Sequence, residues 1–203
     1  MSNEVKTKEK VDMDPKYIIK LTVTLFVTCV IVAGLLGLVN SVTEGPIAEK
    51  NKTKTAAAIQ EVLPEMEGSP AVVELTDEMT AAASGAGATI TEAYEAQAGG
   101  SVIGYALKIV ASGSQGNIEM MVGVDAEGVV TGVSIVDNSE TSGIGSKVMS
   151  NENGVLDQFI GKSAADGTLS VGSNVDAISG ATVSSRGVTT GVNAALAVAG
   201  VMG

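Results

Sequence analysis

The stretch Leu21–Thr43 carries no charged residue, and as far as Val39 it is dominated by Leu, Val, Ile, Phe, Ala and Gly. A helix needs roughly 20 such residues to cross the hydrocarbon of a bilayer. This run divides the chain into a tail, 1–20, a transmembrane helix, 21–43, and a following region, 44–203, with room for one domain and its own core. A cleavable signal sequence is the rival reading, because lysines precede the run. Signal cores are usually only about 7–15 residues, and no A-x-A-like site follows cleanly. Cys29 sits inside the run with apolar sequence continuing past it, which argues against lipid attachment there. An uncleaved anchor is the expectation.

Five lysines precede the span (Lys6, Lys8, Lys10, Lys16, Lys20) and three follow closely (Lys50, Lys52, Lys54). By the lysine count the N-terminus is cytoplasmic and the domain extracytoplasmic, in a single pass through the cell membrane. From Glu44 onward there are nineteen acidic and seven basic residues. That balance disfavours nucleic acid and anionic membrane surfaces as partners.

The chain has no histidine and one cysteine. Histidine bases, Ser-His-Asp triads and histidine metal ligands are therefore excluded. A lone thiol cannot build a CxxC pair, a cysteine zinc site or an iron–sulfur cluster. Redox chemistry in such a chain calls for an organic cofactor, and no metal ligands are assigned.

The only aromatics after Glu44 are Tyr94, Tyr105 and Phe159, so the core must be aliphatic. Pro46–Leu63 has helical spacing and ends at Pro64. Ala81–Ala88 is rich in small residues and is expected to be a loop. Thr89–Gln97, Val102–Val110, Ile118–Val124 and Val129–Val136, separated by tight turns, predict a four-stranded antiparallel meander. Gly154–Ile160 is a candidate short helix. The apolar spacing of Val188, Val192, Ala195, Leu196 and Ala199 marks one face of a last helix. The expected fold class is α+β: an antiparallel sheet with flanking helices, preceded by the membrane helix.

Two segments carry candidate chemistry. The first is Asp176-Ala177-Ile178-Ser179-Gly180-Ala181-Thr182, followed by Val183-Ser184-Ser185-Arg186. Gly180 and Ala181 leave the backbone open to close approach. Thr182 offers a hydroxyl where a helix begins, and a helix N-terminus favours an anion. Ser184 and Ser185 could donate hydrogen bonds, and Arg186 could pair with a phosphate or a carboxylate. A bland alternative is a Ser/Thr-rich turn that only caps the helix. The second segment is Asn138-Ser139-Glu140-Thr141-Ser142-Gly143-Ile144-Gly145-Ser146-Lys147, after the fourth strand. Its glycines permit a tight backbone beside a ligand. It lacks the G-x-x-x-x-G-K-[ST] spacing of a Walker loop.

The first segment resembles the attachment site of the FMN-binding domain family, in which FMN is joined through its phosphate to the last threonine of the motif. The second resembles a family loop written H-x-E-T-P-G-L-G, with Asn138 at the histidine position, Ser142 at the proline and Ile144 at the leucine. Val42-Thr43-Glu44-Gly45-Pro46-Ile47-Ala48 is similar to the segment that follows the anchor in the same family. With one span and one domain, the whole chain resembles the G subunits of the Rnf electron-transport complex. The C subunits of the sodium-translocating NADH:quinone oxidoreductase are the near alternative.

The resemblance implies covalent FMN on Thr182, attached from FAD by a magnesium-dependent flavin transferase. It implies an electron relay between ferredoxin and NAD, coupled to sodium or proton movement, with the other membrane subunits of the Rnf complex as partners. The cofactor-binding set is then Thr182, Ser179, Gly180, Ala181, Ser184, Ser185 and Arg186, with Glu140, Thr141, Gly143, Gly145 and Lys147 from the loop. Asp176 repels a phosphate, so it is assigned to the transferase's metal or to the turn. A membrane-anchored binding or sensory module is the non-enzymatic alternative. A hydrolase is poorly supported without histidine or a carboxylate pair.

Overall fold

Pro15–Val62 forms one α-helix, α1, in the computed structural model of the chain. The model describes residues 14–140, 142–143, 145–151 and 154–202; Lys6, Lys8, Lys10 and Thr141 fall outside them. The sequence suggested two helices, an anchor and a separate Pro46–Leu63. They are one element, and Pro46 lies within it. Proline removes the N–H that would bond back to Val42 and crowds the Val42 carbonyl, yet the helix continues across it. The apolar side chains from Tyr17 to Val42 are exposed, and α1 is long and apolar enough to cross a membrane.

The chain divides into two units, 1–51 and 52–203. The second holds a five-stranded antiparallel sheet in the order β1-β2-β3-β4-β5. Its strands are β1 (Ala71–Val73), β2 (Thr89–Ala98), β3 (Ser101–Ser112), β4 (Asn117–Asp125) and β5 (Val130–Asn138). The last four are the expected meander, each within two residues of its predicted ends. β1 was not foreseen: three residues are too few to show alternation, and it exists by pairing with β2 through Val72 and Tyr94.

The expected loop at 81–88 is mostly helix, α2 (Asp77–Gly85). Thr76 Oγ1 accepts from the Met79 N–H at 3.2 Å and caps it. Alanine has the highest helix propensity, and Met79 and Ala83 bury one apolar side, so the small residues favour helix over loop. A short helix, α3 (Gly145–Met149), follows the glycine loop. Within the candidate helix at 154–160 the described residues include a 3₁₀ turn, Asp157–Phe159, and a further such turn covers Ala164–Asp166. The last helix, α4, runs Thr182–Met202.

Each sheet face has its own cover. On one face α4 and α2 pack over Ile90, Leu107, Ile109, Ile118, Met120, Val122 and Val124. Fully burying each such side chain is worth about 1.5–3 kcal/mol relative to exposure. α4 lies close because it carries glycines: a Cβ at Gly187 would stand 2.5 Å from the Ser112 carbonyl oxygen. This close approach brings the N-terminal end of α4 beside the β3–β4 turn. The other face packs Ala96, Ala106, Met121 and Val136 against Ala58, Ile59, Val62 and Leu63 at the end of α1.

Candidate functional site

Gly180 has φ +82°, the left-handed region that a residue with a Cβ rarely adopts. The bend there turns the chain into α4. Ala181, whose carbonyl accepts the first helical bond from the Ser185 N–H at 2.9 Å, has no side-chain acceptor for the helix end. The backbone N–H groups of Thr182, Val183 and Ser184 make no hydrogen bond among the described residues. That is the usual condition of a helix N-terminus left open for an anion.

A cavity of about 300 Å³ lies there, lined by Gly180, Ala181, Thr182, Val183 and Ser184, with Ser114, Gln115, Glu140 and Gly145 opposite. The two segments singled out in the sequence therefore meet, through Glu140 and Gly145 of the loop. Thr182 and Val183 are exposed, whereas Ser184 is 1% exposed.

Glu140 joins the parts. Its Oε2 accepts from Ser184 Oγ at 2.6 Å. Its Oε1 accepts from the Ser114 N–H at 2.6 Å and the Gln115 N–H at 3.3 Å. Its own N–H donates to Asn138 Oδ1 at 3.1 Å, so the residue at the family's histidine position shapes this turn. A Cβ at Gly113 or Gly145 would collide with the Glu140 carboxylate.

The other candidates are placed as follows. Ser185 donates to the Ala181 carbonyl at 3.1 Å and is buried. Ser179 is exposed. Arg186 is exposed one turn after Thr182, on the same side of the helix, and makes no ion pair among the described residues. Gly143 has φ +91° and its N–H donates to Ser146 Oγ at 2.8 Å. Lys147 is exposed in α3 and does not line the cavity. Asp176 is held by its backbone: its N–H donates to Gln158 Oε1 at 2.7 Å and its carbonyl accepts from Gln158 Nε2 at 3.0 Å. Its carboxylate caps no turn among the described residues.

Sequence reasoning missed Ser114, Gln115 and Gln158. Gly113-Ser114-Gln115-Gly116 is legible only as a turn, and its partner lies some 25 residues along the chain. A larger cavity of about 560 Å³ lies beside α2 and α4, lined by residues such as Ala82, Ala86, Asn193 and Leu196. It has no charged lining, and the candidate chemistry lies instead at the smaller cavity.

Residues 113–197, which include the β3–β4 turn, Glu140 and Thr182, match the FMN-binding domain family, and residues 13–62 match the RnfG N-terminal region. The chain is 39% identical to the G subunit of the Na(+)-translocating ferredoxin:NAD(+) oxidoreductase complex of Acetobacterium woodii, over 96% of this chain and 97% of that one. The chain belongs to the RnfG family of ion-translocating oxidoreductase complexes. Membership places it among oxidoreductases, and its domain is of the FMN-binding kind. It is also 30% identical to the G subunit of the ion-translocating oxidoreductase complex of Methanosarcina acetivorans, over 90% of this chain and 95% of that one. A solved C subunit of the Na(+)-translocating NADH-quinone reductase from Parabacteroides distasonis aligns at TM-score 0.49 and 19% identity, covering 74% of this chain and 90% of that one.

Proposed function

We propose that this RnfG-family protein carries FMN as a phosphodiester on Thr182. Through it the protein relays electrons within a membrane complex of the ferredoxin:NAD type. One observation carries the reading: the Thr182 side chain is exposed at the rim of a cavity walled by the glycine loop and by helix amides that have no partner among the described residues.

The residues suit the group. A phosphate on Thr182 would meet the N–H groups of the first helical turn and the helix dipole. Arg186, one turn on and unpaired among the described residues, supplies a cation to the same side. Gly180 and Ala181 leave the backbone uncovered. Val183, 53% exposed, presents an apolar surface next to the attachment point. Bound FMN supplies one- and two-electron transfer, which no side chain of this histidine-free chain can replace. A covalent bond keeps the cofactor in place although Thr182 faces solvent, a condition suited to a carrier that meets several partners.

Attachment balances as a transfer from FAD. Thr182 Oγ bonds to the phosphorus of the FMN half, the diphosphate bridge breaks, and AMP leaves with the hydroxyl proton accounted for by a base. A flavin transferase supplies that base and the magnesium, and we assign its recognition to the exposed Asp176 carboxylate.

The same reading puts the N-terminus in the cytoplasm and the FMN domain outside. The protein made with its transferase is expected to stay fluorescent through denaturing electrophoresis. Its mass should exceed the bare chain by FMN minus water. Thr182→Ala should remove both signals. Flavin lost entirely on denaturation would refute the covalent link, and a chain that never binds flavin would favour the sensory or binding module.

A further inference from the structure

We infer that Glu140 is a positioning residue for the modification of Thr182, acting through Ser184 and not by touching the cofactor. The inference rests on the proposed attachment at Thr182. Both carboxylate oxygens are already engaged: Oε2 by the Ser184 hydroxyl, Oε1 by the Ser114 and Gln115 amides. A carboxylate so satisfied has little left for a ligand, and its charge opposes a phosphate nearby. Its value lies in what it ties together.

Ser184 is in the first turn of α4, two residues after Thr182, and is buried. That turn has no cap of its own, since alanine occupies position 181. An uncapped first turn frays unless tertiary contact holds it. Glu140 is such a contact, beside the burial of Ala181 and Ser185. It fastens the turn to the β3–β4 connection, across 44 residues of sequence on one side and 26 on the other. Gly113 and Gly145 make the room, because a side chain on either would occupy the space of the carboxylate. The anchored turn presents Thr182 Oγ in one direction. Attack on a phosphorus in line with its leaving group depends on such fixed direction.

The test uses the full-length chain in detergent, purified flavin transferase and FAD. The first readout is the rate of covalent flavin incorporation, by mass and by in-gel fluorescence. The second is amide hydrogen exchange at Ser185, Arg186 and Gly187 before modification. Glu140→Ala and Ser184→Ala are each expected to slow incorporation about tenfold. The double variant should be no slower than the slower single, as for two residues acting through one bond. Glu140→Gln keeps an oxygen for the two amides and an NH₂ for the serine, so its rate should stay within about threefold of wild type. Exchange should quicken in the two alanine variants and not in Glu140→Gln.

Additive losses would overturn the inference, as would wild-type rates in Ser184→Ala. Glu140→Gln as slow as Glu140→Ala would assign the effect to charge, and both variants faster than wild type would show only relief of repulsion. Ser184→Ala removes a single oxygen and keeps the test open should Glu140→Ala fail to fold. If the wild type takes up no covalent flavin, the attachment reading fails by itself. Exchange then decides the anchoring, and unchanged exchange in both alanine variants overturns it.

Discussion

The hydroxyl of Thr131 donates to the backbone carbonyl of Val62 at 2.6 Å. Val62 is in the last turn of α1, where carbonyls have no helical partner, and Thr131 is the second residue of β5. Around this bond Gly123 and Gly132 pair across β4 and β5 and leave the space that Val62 fills. A Cβ at Gly123 would stand 2.7 Å from the Val62 oxygen, and one at Gly132 would stand 3.1 Å from Val62 Cα.

Gly123→Val should therefore lift the end of α1 from the sheet. Its cost is expected near the upper end of about 1–3 kcal/mol for overpacking, because the colliding atoms are backbone. Thr131→Val leaves the Val62 carbonyl unpaired, at about 1–3 kcal/mol. Thermal unfolding of the full chain in detergent checks both; melting temperatures equal to wild type would dismiss the notch as a structural element.

The same sheet face carries a titrating cluster. Tyr94 donates to Glu92, and Lys108 pairs with Glu92 at 3.0 Å. Burial first, then the bond to Glu92, pushes the Tyr94 hydroxyl up to about 12. The folded chain holds this proton more tightly than the unfolded chain. Its contribution is full below the ordinary tyrosine value and is lost as pH rises toward 12. Wild type minus Tyr94→Phe should show a tyrosinate absorbance step close to pH 12 and a stability difference that shrinks over the same range. A difference step near the ordinary value of about 10 would contradict it.

Topology is open to direct labelling. With Cys29 replaced by Ser, cysteines at the exposed positions Ser84 and Ser173 should react with a membrane-impermeant maleimide in intact cells. Labelling only after lysis would reverse the proposed orientation.

The glycine loop separates attachment from tuning. Gly143 meets nothing within 4 Å of a built Cβ, but its φ of +91° disfavours any side chain. Gly143→Val should shift the loop through backbone strain of about 1–2 kcal/mol. Covalent flavin should still form, and the midpoint potential in a spectroelectrochemical titration should change. Lys147, exposed and outside the cavity lining, should move that potential much less, because solvent screens a surface charge. A wild-type potential in Gly143→Val would make the loop a plain turn.

Local signals were strong where structure depends on nearby residues. The uncharged run lies within one long helix, α1, and the alternation in β2–β5 and the apolar stripe of α4, which repeat within a few residues, formed the expected strands and helix. Where a segment's own pattern was weak, partners decided. β1 exists by pairing with β2, and Asp77–Gly85 became a helix once Met79 and Ala83 could be buried. The site divided the same way. Thr182 at a helix start and Gly180 at the bend before it are written in one short motif.

The chain by itself determined an apolar segment long enough to span a bilayer, an α+β domain and a chemistry without histidine that calls for a borrowed cofactor. Only the tertiary structure decided that Glu140 faces inward to Ser184, Ser114 and Gln115 and that Gln158 holds Asp176. It also seated Val62 between two paired glycines. Each of these depends on residues far apart in sequence whose approach is set by strand register and by the height of α4 over the sheet. No periodicity encodes such meetings; they follow from the whole core packing at once.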